Sequence, residues 1–235
     1  MNFNYIKGGV TAPKGFLASG IHCGLKKSNL KKDLALIYSE VPAAASGMFT
    51  KNKVKGAPIS ISKDHLSNKK AQAIIVNSGN ANTCNGTDGL NKAKKMTCLQ
   101  AKELNLKADD ILVASTGVIG VPLNIDAIKS GIPLLTQKLS KEGHDDASSA
   151  IMTTDTVKKE LALEFTIGDK VVTIGAMAKG SGMIEPNMGT MLSFITTDIA
   201  IIPELLDEAL KSCVKVTYNR VSVDGDTSTN DSVFI

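Results

Sequence analysis

The segment AKGSGMIEPNMGTMLSFITTD, residues 178–198, shows the sharpest change of pattern in the chain. Its first part, 178–189, is rich in Gly and also contains Pro, Asn and Ser, which is typical of an exposed loop or an active-site loop. Its second part, from Met191 to Thr197, is predicted to be a strand. The segment therefore predicts a loop that leads into the start of a strand, with Thr190 at the junction.

Further strands are predicted on the amino-terminal side of this segment. The runs AQAIIV at 71–76 and ILVAS at 111–115 are short, continuous and apolar, as expected of strands that are buried on both faces. The runs 161–167 and 170–177 flank a Gly-Asp pair, and this spacing predicts a β-hairpin.

Two amphipathic helices are also predicted. The first has Asp88 as its N-cap and extends to Leu104, with Leu90 on its apolar face. The second begins at Pro203, and its inward face includes Cys213. Strands, helices and turn residues in this order predict an α/β or α+β sandwich. We expect an α/β fold, a layered sandwich of β-sheets and helices.

The composition excludes several classes of protein. The chain has 235 residues, of which 43% are hydrophobic and 21% charged, so it is expected to be globular. Its net charge is only +4, and short lysine runs such as Lys26-Lys27 are interpreted as solvated faces. There is no Trp on which nucleic-acid bases could stack, no apolar stretch of ~18 residues and no leader pattern. We expect a cytoplasmic protein that binds neither nucleic acid nor membrane.

No metal ion or tightly bound cofactor is predicted. The four cysteines lie far apart in the sequence and are expected to be reduced and mostly buried: Cys23, Cys84, Cys98 and Cys213. The run 175–181 has the spacing of a phosphate loop, but Ser181 stands where the lysine is required. The run 224–235 begins like a calcium loop but lacks its glycine and its final glutamate. The three histidines lie near no Ser or Cys motif, so a histidine-based triad has little support.

Thr190 is the candidate nucleophile. If the chain is cut before Thr190, the new α-amine lies beside the threonine hydroxyl and can act as its general base. An α-amine has an unperturbed pKa of ~7.7–8.0, which suits this task near neutral pH. From spacing alone, an ordinary threonine in a strand is the stronger interpretation, because threonine is common in strands.

Six blocks of sequence carry a resemblance that extends over essentially the whole chain. They are GVTAPKGF at 9–16, VNSGNAN at 76–82, STGVIG at 115–120, IMTTDT at 151–156, the loop that ends at Thr190, and VDGDTSTND at 223–231. In this order they resemble the ornithine acetyltransferase family, also called glutamate N-acetyltransferases. The resemblance implies an N-terminal-nucleophile-like architecture.

The resemblance also implies self-cleavage of a precursor. Thr190 would attack the carbonyl of Gly189, and water would resolve the resulting ester. An α-chain segment, 1–189, and a β-chain segment that begins at Thr190 would result. Family members usually have Ala where this chain has Gly189.

In the mature enzyme, the resemblance implies that an acetyl group passes from N-acetylornithine to Thr190 and then to glutamate, in ping-pong fashion, as part of arginine biosynthesis. Acetyl-CoA is left open as a second donor. The Thr116 hydroxyl and the Gly117 N–H would form the oxyanion hole, and Thr153, Lys179 and Thr190 would contact substrate. The implied partners are these small molecules and the two chains of one precursor, in a higher oligomer.

Residues 190–235 are fewer than a family β chain contains, so much of the second half is expected to be missing. We therefore expect the final run, 232–235, to lack sheet neighbours and the 235-residue chain to be incomplete as an enzyme. Two alternatives stay open: an N-terminal-nucleophile amidase or aminopeptidase, and a catalytically incomplete fragment that acts only as a folded module.

Overall fold

Two β-sheets form the frame of the structure, a computed structural model that describes residues 2–185 and 191–235. Strands and helices are numbered in chain order. The larger sheet contains, from edge to edge, β1 (Phe3–Ile6), β7 (Lys159–Ile167), β8 (Lys170–Lys179), β9 (Leu192–Thr197), β10 (Ser232–Phe234) and β4 (Gly47–Phe49). The smaller sheet contains β2 (Phe16–Ile21), β3 (Leu34–Ala44), β5 (Lys70–Asn80) and β6 (Ile111–Val118).

Most neighbouring strands are antiparallel, and two pairs are parallel: β5 with β6, and β9 with β10. Parallel strands end at the same edge of a sheet. The carboxyl ends of β5 and β6 therefore lie together, and so do the first residues of β9 and β10. These two junctions carry the residues of the candidate site.

The smaller sheet is buried on both faces because its strands are apolar at successive positions. On β3, Ala35 and Ile37 belong to the core between the two sheets, whereas Leu34 and Leu36 belong to the core under the helices. Side chains alternate between the faces of a strand, so a continuous apolar run supplies both cores. The core between the sheets also receives Phe194 from β9.

Five helices complete the described part of the chain: α1 (Ala57–His65), α2 (Gly86–Leu104), α3 (Ile125–Gln137), α4 (His144–Ile151) and α5 (Pro203–Val216). Side chains of α2 and α3 pack on the outer face of the smaller sheet. On the larger sheet, α5 packs its buried Leu210 and Val214 against Val233 of β10. The result is a sandwich of four layers, helix–sheet–sheet–helix.

Helix α4 lies against the core between the sheets, where its residues Ala147, Ala150 and Ile151 are buried. Gly20 on β2 permits this close approach, since a Cβ at Gly20 would lie 2.1 Å from the carbonyl oxygen of Asp146. The position of α4 matters for the site because α4 ends two residues before Thr153.

The predicted fold class, an α/β layered sandwich, is confirmed. The runs 71–76 and 111–115 lie in β5 and β6, the hairpin is formed by β7 and β8, and the second helix begins at Pro203 as predicted. The first helix begins at Gly86 rather than after an Asp88 cap, and Asp88 instead lies in its first turn, paired with Lys92.

Three other expectations were wrong. The final strand, β10, does have sheet neighbours, because it pairs with β9 on one side and β4 on the other. Leu90 is 42% exposed. The cysteines are free, but Cys84, Cys98 and Cys213 are exposed rather than buried, since the latter two lie on solvent-facing sides of their helices. The division between 189 and 190 falls outside the described residues and stays a prediction.

Candidate active site at one end of the sandwich

A cleft of about 650 Å³ lies where both sheets contribute strand ends. Four of the residues that were predicted from the sequence line this cleft: Thr116, Gly117, Thr153 and Lys179. They come from the end of β6, from the turn after α4 and from the end of β8. The other two predicted residues, Gly189 and Thr190, lie outside the described residues.

Thr116 and Gly117 occupy an irregular end of the smaller sheet. The register of β5 against β6 shifts between Gly79 and Asn80, as in a β-bulge. Gly117 has φ +132°, and a Cβ there would lie 2.3 Å from the carbonyl carbon of Gly79. Only glycine fits this position without displacing the neighbouring strand. The bulge therefore sets the course of the backbone beside the cleft.

Lys179 is a buried cation in the wall of the cleft. Only 2% of the residue is exposed, and its Nζ donates a hydrogen bond to Thr116 Oγ1 at 3.3 Å. Burial lowers the pKa of Lys179, and the nearby carboxylates of Asp155 and Asp231 counteract part of this effect. An ammonium group has three N–H donors, and one is used here among the described residues. Lys179 is thus suited to bind an anionic or strongly polar ligand group.

Asp155 connects the turn that carries Thr153 to the strand that carries Lys179. Its carboxylate accepts the N–H of Gly180 at 2.8 Å, the N–H of Thr153 at 3.2 Å and the Nζ of Lys159 at 2.7 Å. Burial alone would raise the pKa of Asp155, but these hydrogen bonds and the charge of Lys179 outweigh it and lower the pKa. Asp155 therefore remains ionised and fixes the spacing of two predicted substrate contacts.

Lys26 also lines the cleft, which corrects its interpretation as part of a solvated face. Its Nζ donates to the carbonyl oxygens of Lys32 at 2.6 Å and Met152 at 2.8 Å. Burial lowers its pKa to about 8, although Asp33 favours its charged form. Asp33 is fully buried and accepts the backbone N–H groups of Cys23, Leu25 and Lys26. This single carboxylate shapes the loop that presents Lys26.

Residues 228–230, just before β10, also line the cleft, and Asn230 joins this segment to the neighbouring strand ends. The side chain of Asn230 donates to the carbonyl oxygens of Ala81 at 2.6 Å and Ser115 at 2.9 Å, and its Oδ1 accepts the Thr83 hydroxyl at 2.6 Å. Both sheets are connected by these bonds, because Asn230 precedes β10 and Ser115 lies on β6.

Asp231 directly follows this segment in the chain, and only 1% of it is exposed. Its Oδ1 accepts the backbone N–H of Met191 at 2.9 Å, and its Oδ2 has no hydrogen-bond partner in the described part of the chain. Burial raises the pKa of Asp231 to about 7, against the opposing effects of the Met191 amide, the nearby Ser228 and Thr50 hydroxyls and the Lys179 charge. The residue bonded to that amide is Thr190.

Three carboxylates of the site, Asp33, Asp155 and Asp231, were not predicted as site residues. Asp155 and Asp231 lie within recognised sequence blocks, but their function depends on amides that are 25 and 40 residues away in the chain. Asp33 lies outside every block. For Asp155 and Asp231, the only signal in the sequence was that they lie within these blocks.

Comparison with known proteins decides the family. A family model described as the ArgJ family matches residues 17–235. The chain belongs to this family. It is 50% identical over 230 residues to the arginine biosynthesis bifunctional protein ArgJ of Caldanaerobacter subterraneus. The aligned region covers 98% of this chain and 57% of that protein. The chain thus spans a little over half the length of the curated relatives it matches. The resemblance predicted from the six sequence blocks is confirmed.

Solved structures of the family have the same fold. The chain is 41% identical to ArgJ from Bacillus halodurans, with a TM-score of 0.74 and coverage of 81% of this chain and 98% of that chain. It is 34% identical to ornithine acetyltransferase from Mycobacterium tuberculosis, which was solved in complex with ornithine, with a TM-score of 0.73 and coverage of 81% and 100%.

A more distant likeness concerns the fold alone. The chain is 12% identical to an L-aminopeptidase D-Ala-esterase/amidase from Ochrobactrum anthropi, described as a variant of the Ntn hydrolase fold, with a TM-score of 0.58 and coverage of 97% and 72%. The predicted N-terminal-nucleophile-like architecture is thereby confirmed. Across residues 2–185 and 191–235, no helix is long and apolar enough to span a membrane. The same residues contain no group of three or more His, Cys, Asp and Glu side chains that could hold a metal ion.

Proposed function

We propose that this chain provides the nucleophile, the oxyanion hole and part of the substrate site of a glutamate N-acetyltransferase. The enzyme moves an acetyl group from N-acetylornithine to glutamate through an acetyl-Thr190 intermediate. One observation carries the proposal: Thr116, Gly117, Thr153 and Lys179, which come from three widely separated stretches of the sequence, line one cleft. Asn230 also lines that cleft, and the next residue, Asp231, binds the amide that follows Thr190.

The contact between Lys179 and Thr116 suits an oxyanion hole. When Thr190 attacks the acetyl carbonyl, negative charge develops on the carbonyl oxygen. Thr116 Oγ1 accepts a hydrogen bond from Lys179, so its own hydroxyl proton is available to that oxygen. The adjacent ammonium also polarises the hydroxyl and makes it a stronger donor. The Gly117 N–H is the proposed second donor.

Substrate binding is assigned to Lys179 and Thr153, which line the cleft. Both substrates carry a carboxylate, and Lys179 is a buried cation with unused donors. An anion beside Lys179 would reverse the effect of burial and favour its charged form. Thr153 is held beside Lys179 through Asp155, and its hydroxyl is proposed to add a polar contact.

The self-cleavage step belongs to the same proposal. The alignments with the two solved family chains cover 81% of the 235 residues, about 190, and nearly all of each solved chain. That length equals the proposed α segment, 1–189. The relative from Mycobacterium tuberculosis was solved in complex with ornithine, which supports ornithine as the product released from the first half-reaction.

The experiment is an acetyl-transfer assay on the full-length protein. Incubation with N-acetylornithine should give N-acetylglutamate only when glutamate is present. Release of free acetate at the same rate with and without glutamate would favour the amidase alternative, which the family match does not favour. Replacing N-acetylornithine by acetyl-CoA in this assay tests the second donor. The proposed oligomer is tested by light scattering of the same sample.

A further inference from the structure

The cleft carries an excess of positive charge. Four lysines line it, namely Lys26, Lys27, Lys31 and Lys179, and no Asp or Glu lines it in the described part of the chain. Lys27 and Lys31 are exposed, whereas Lys26 is half-buried and Lys179 is almost fully buried. Removing two ammonium groups from water costs free energy, and a nearby anion offsets that cost. The cleft is therefore suited to a ligand that carries negative charge.

Lys26 lies beside the proposed oxyanion hole. Its aliphatic stem packs against Gly79, where an added Cβ would lie 3.2 Å from Lys26 Cγ. Gly79 is the register partner of Gly117, so the stem runs next to the bulged strand ends. At the tip of the side chain, Nζ donates to the carbonyl oxygen of Met152 at 2.8 Å, and Thr153 is the next residue. Lys26 thus reaches from the proposed oxyanion hole to a proposed substrate contact.

The ammonium group of Lys26 has one N–H that no residue within 2–185 and 191–235 accepts. An ammonium group has three N–H donors. Two of them bind the carbonyl oxygens of Lys32 at 2.6 Å and Met152 at 2.8 Å. A hydrogen bond from a charged donor to a carboxylate is among the stronger ones in proteins. The third donor is therefore available to a carboxylate in the cleft.

The two substrates differ at the end of their side chains. Both carry an α-carboxylate, which the proposed function assigns to Lys179. Glutamate carries a second carboxylate, whereas N-acetylornithine carries an amine at that end. We propose that Lys26 binds the side-chain carboxylate of glutamate and thereby selects the acceptor of the second half-reaction. This inference rests on the proposed function and adds a residue that determines its specificity.

Lys26 can also accommodate the amine of the donor substrate. Burial lowers the pKa of Lys26 to about 8, and repulsion from Lys31 and Lys179 acts in the same direction, against attraction to Asp33 and Asp155. A lysine that loses its proton keeps two N–H groups for its two carbonyl oxygens and gains a lone pair at the third position. Lys26 can therefore meet a cationic side chain without losing its hydrogen bonds to the fold.

The test measures kcat/KM of the full-length enzyme separately for glutamate and for N-acetylornithine, because in a ping-pong reaction each value reports its own half-reaction. Lys26→Met keeps the stem on Gly79 but removes the ammonium group. It should lower kcat/KM for glutamate at least ~10-fold and change that for N-acetylornithine less than threefold. Lys141→Met is the matched control, because Lys141 Nζ also donates to two carbonyl oxygens, those of Thr11 and Pro13, both at 3.0 Å, but does not line the cleft. Both values should stay within twofold in this control.

Glutamine as the acceptor gives a second measurement that needs no variant. Glutamine lacks the side-chain carboxylate, so the unchanged enzyme should prefer glutamate at least ~10-fold in kcat/KM, and this preference should fall as the pH rises through about 8, where Lys26 loses its proton. A preference that is constant between pH 6.5 and 9.5 would overturn the proposal even if Lys26→Met failed to fold.

The kinetics of a folded Lys26→Met enzyme separate binding from positioning. Equal losses in both kcat/KM values would show that Lys26 only positions the turn that carries Thr153, and the proposal would be wrong. A loss of less than threefold for glutamate would overturn it as well, while leaving the acetyltransferase proposal intact. If the unchanged full-length enzyme transfers no acetyl group to glutamate, the proposed function itself is refuted, and the role of Lys26 with it.

Discussion

Replacing Asp231 by Asn should make the fold more stable at alkaline pH and change it little at acid pH. Burial raises the pKa of Asp231 from 3.8 to about 7, so the folded chain holds a proton that the unfolded chain has already released. Between these two values the folded state binds more protons, and linkage then requires stability to fall as pH rises. Only well below pH 3.8, at about pH 3 and lower, is the group protonated in both states and without effect.

The structure sets an upper limit for this effect. Each pH unit between the two pKa values corresponds to about 1.4 kcal/mol, so ionised Asp231 lowers the free energy of unfolding by about 4 kcal/mol at most. Asn removes this cost but also removes the attraction to Lys179, so we expect a net gain of about 1–3 kcal/mol at pH 8. Lys179 has the opposite effect on the pH dependence of the free energy of unfolding. Its pKa is lowered in the folded state, so the folded chain releases this proton at a lower pH than the unfolded chain does.

Urea unfolding at pH 4.5 and pH 8 measures this difference. Both proteins should carry Thr190→Ala, so that the chains stay uncut, and Asp198→Asn in the same background serves as the control. The stabilising effect of Asp231→Asn should be largest at pH 8 and about a quarter as large at pH 4.5, which is only ~0.7 pH unit above the pKa of the unfolded chain. An equal effect at both pH values would show that the fold does not hold Asp231 near its neutral form, and the electrostatic reasoning from its burial would be refuted.

Three other predictions concern the cleft. Thr116→Ala in the full-length enzyme should lower kcat by ~10²-fold with KM little changed, and Thr116→Ser should restore most of the rate, since one oxyanion donor is lost and then returned; a change confined to KM would assign Thr116 to substrate binding. Lys179→Gln should raise KM for N-acetylornithine at least tenfold, whereas Lys27→Gln at the rim of the cleft should change it less than threefold. Gly117→Ala should lower the free energy of unfolding by several kcal/mol, because its Cβ meets the backbone of Gly79 at 2.3 Å; Gly120→Ala also has positive φ but open space around it, and should cost about 1 kcal/mol by the same unfolding measurement.

The local sequence pattern predicted which segments form strands and helices better than it predicted which strands pair with each other. The runs 71–76 and 111–115 are apolar at every position, and such a run is buried wherever it lies, so they could be identified as strands without knowledge of their partners. The final run, 232–235, was expected to have no neighbours because strand pairing depends on distant residues. In the structure β10 is paired with β9 and with β4, and β4 lies more than 180 residues earlier in the chain.

The residues of the candidate site were likewise predicted in part and missed in part. Thr116, Gly117, Thr153 and Lys179 were predicted because they lie in blocks that resemble a family, and the structure brings them to one cleft. No pattern of apolar or charged residues would have brought them together. Lys26 was misjudged because a lysine pair is usually solvated, and only the fold places its ammonium group on the carbonyl oxygens of Lys32 and Met152.

Buried carboxylates are where sequence reasoning is weakest and the structure most informative. In one-letter code Asp33, Asp155 and Asp231 are equivalent, and each could have been a surface residue. Their hydrogen bonds separate them: two are saturated by backbone N–H groups or a lysine, and such bonds favour the ionised form. Asp231 accepts a single backbone N–H, that of Met191, with the Ser228 and Thr50 hydroxyls nearby, and burial raises its pKa to about 7. A buried carboxylate that destabilises the fold at neutral pH, next in sequence to the cleft residue Asn230 and close enough to act on the Lys179 ammonium, is better explained by chemistry at the site than by structure.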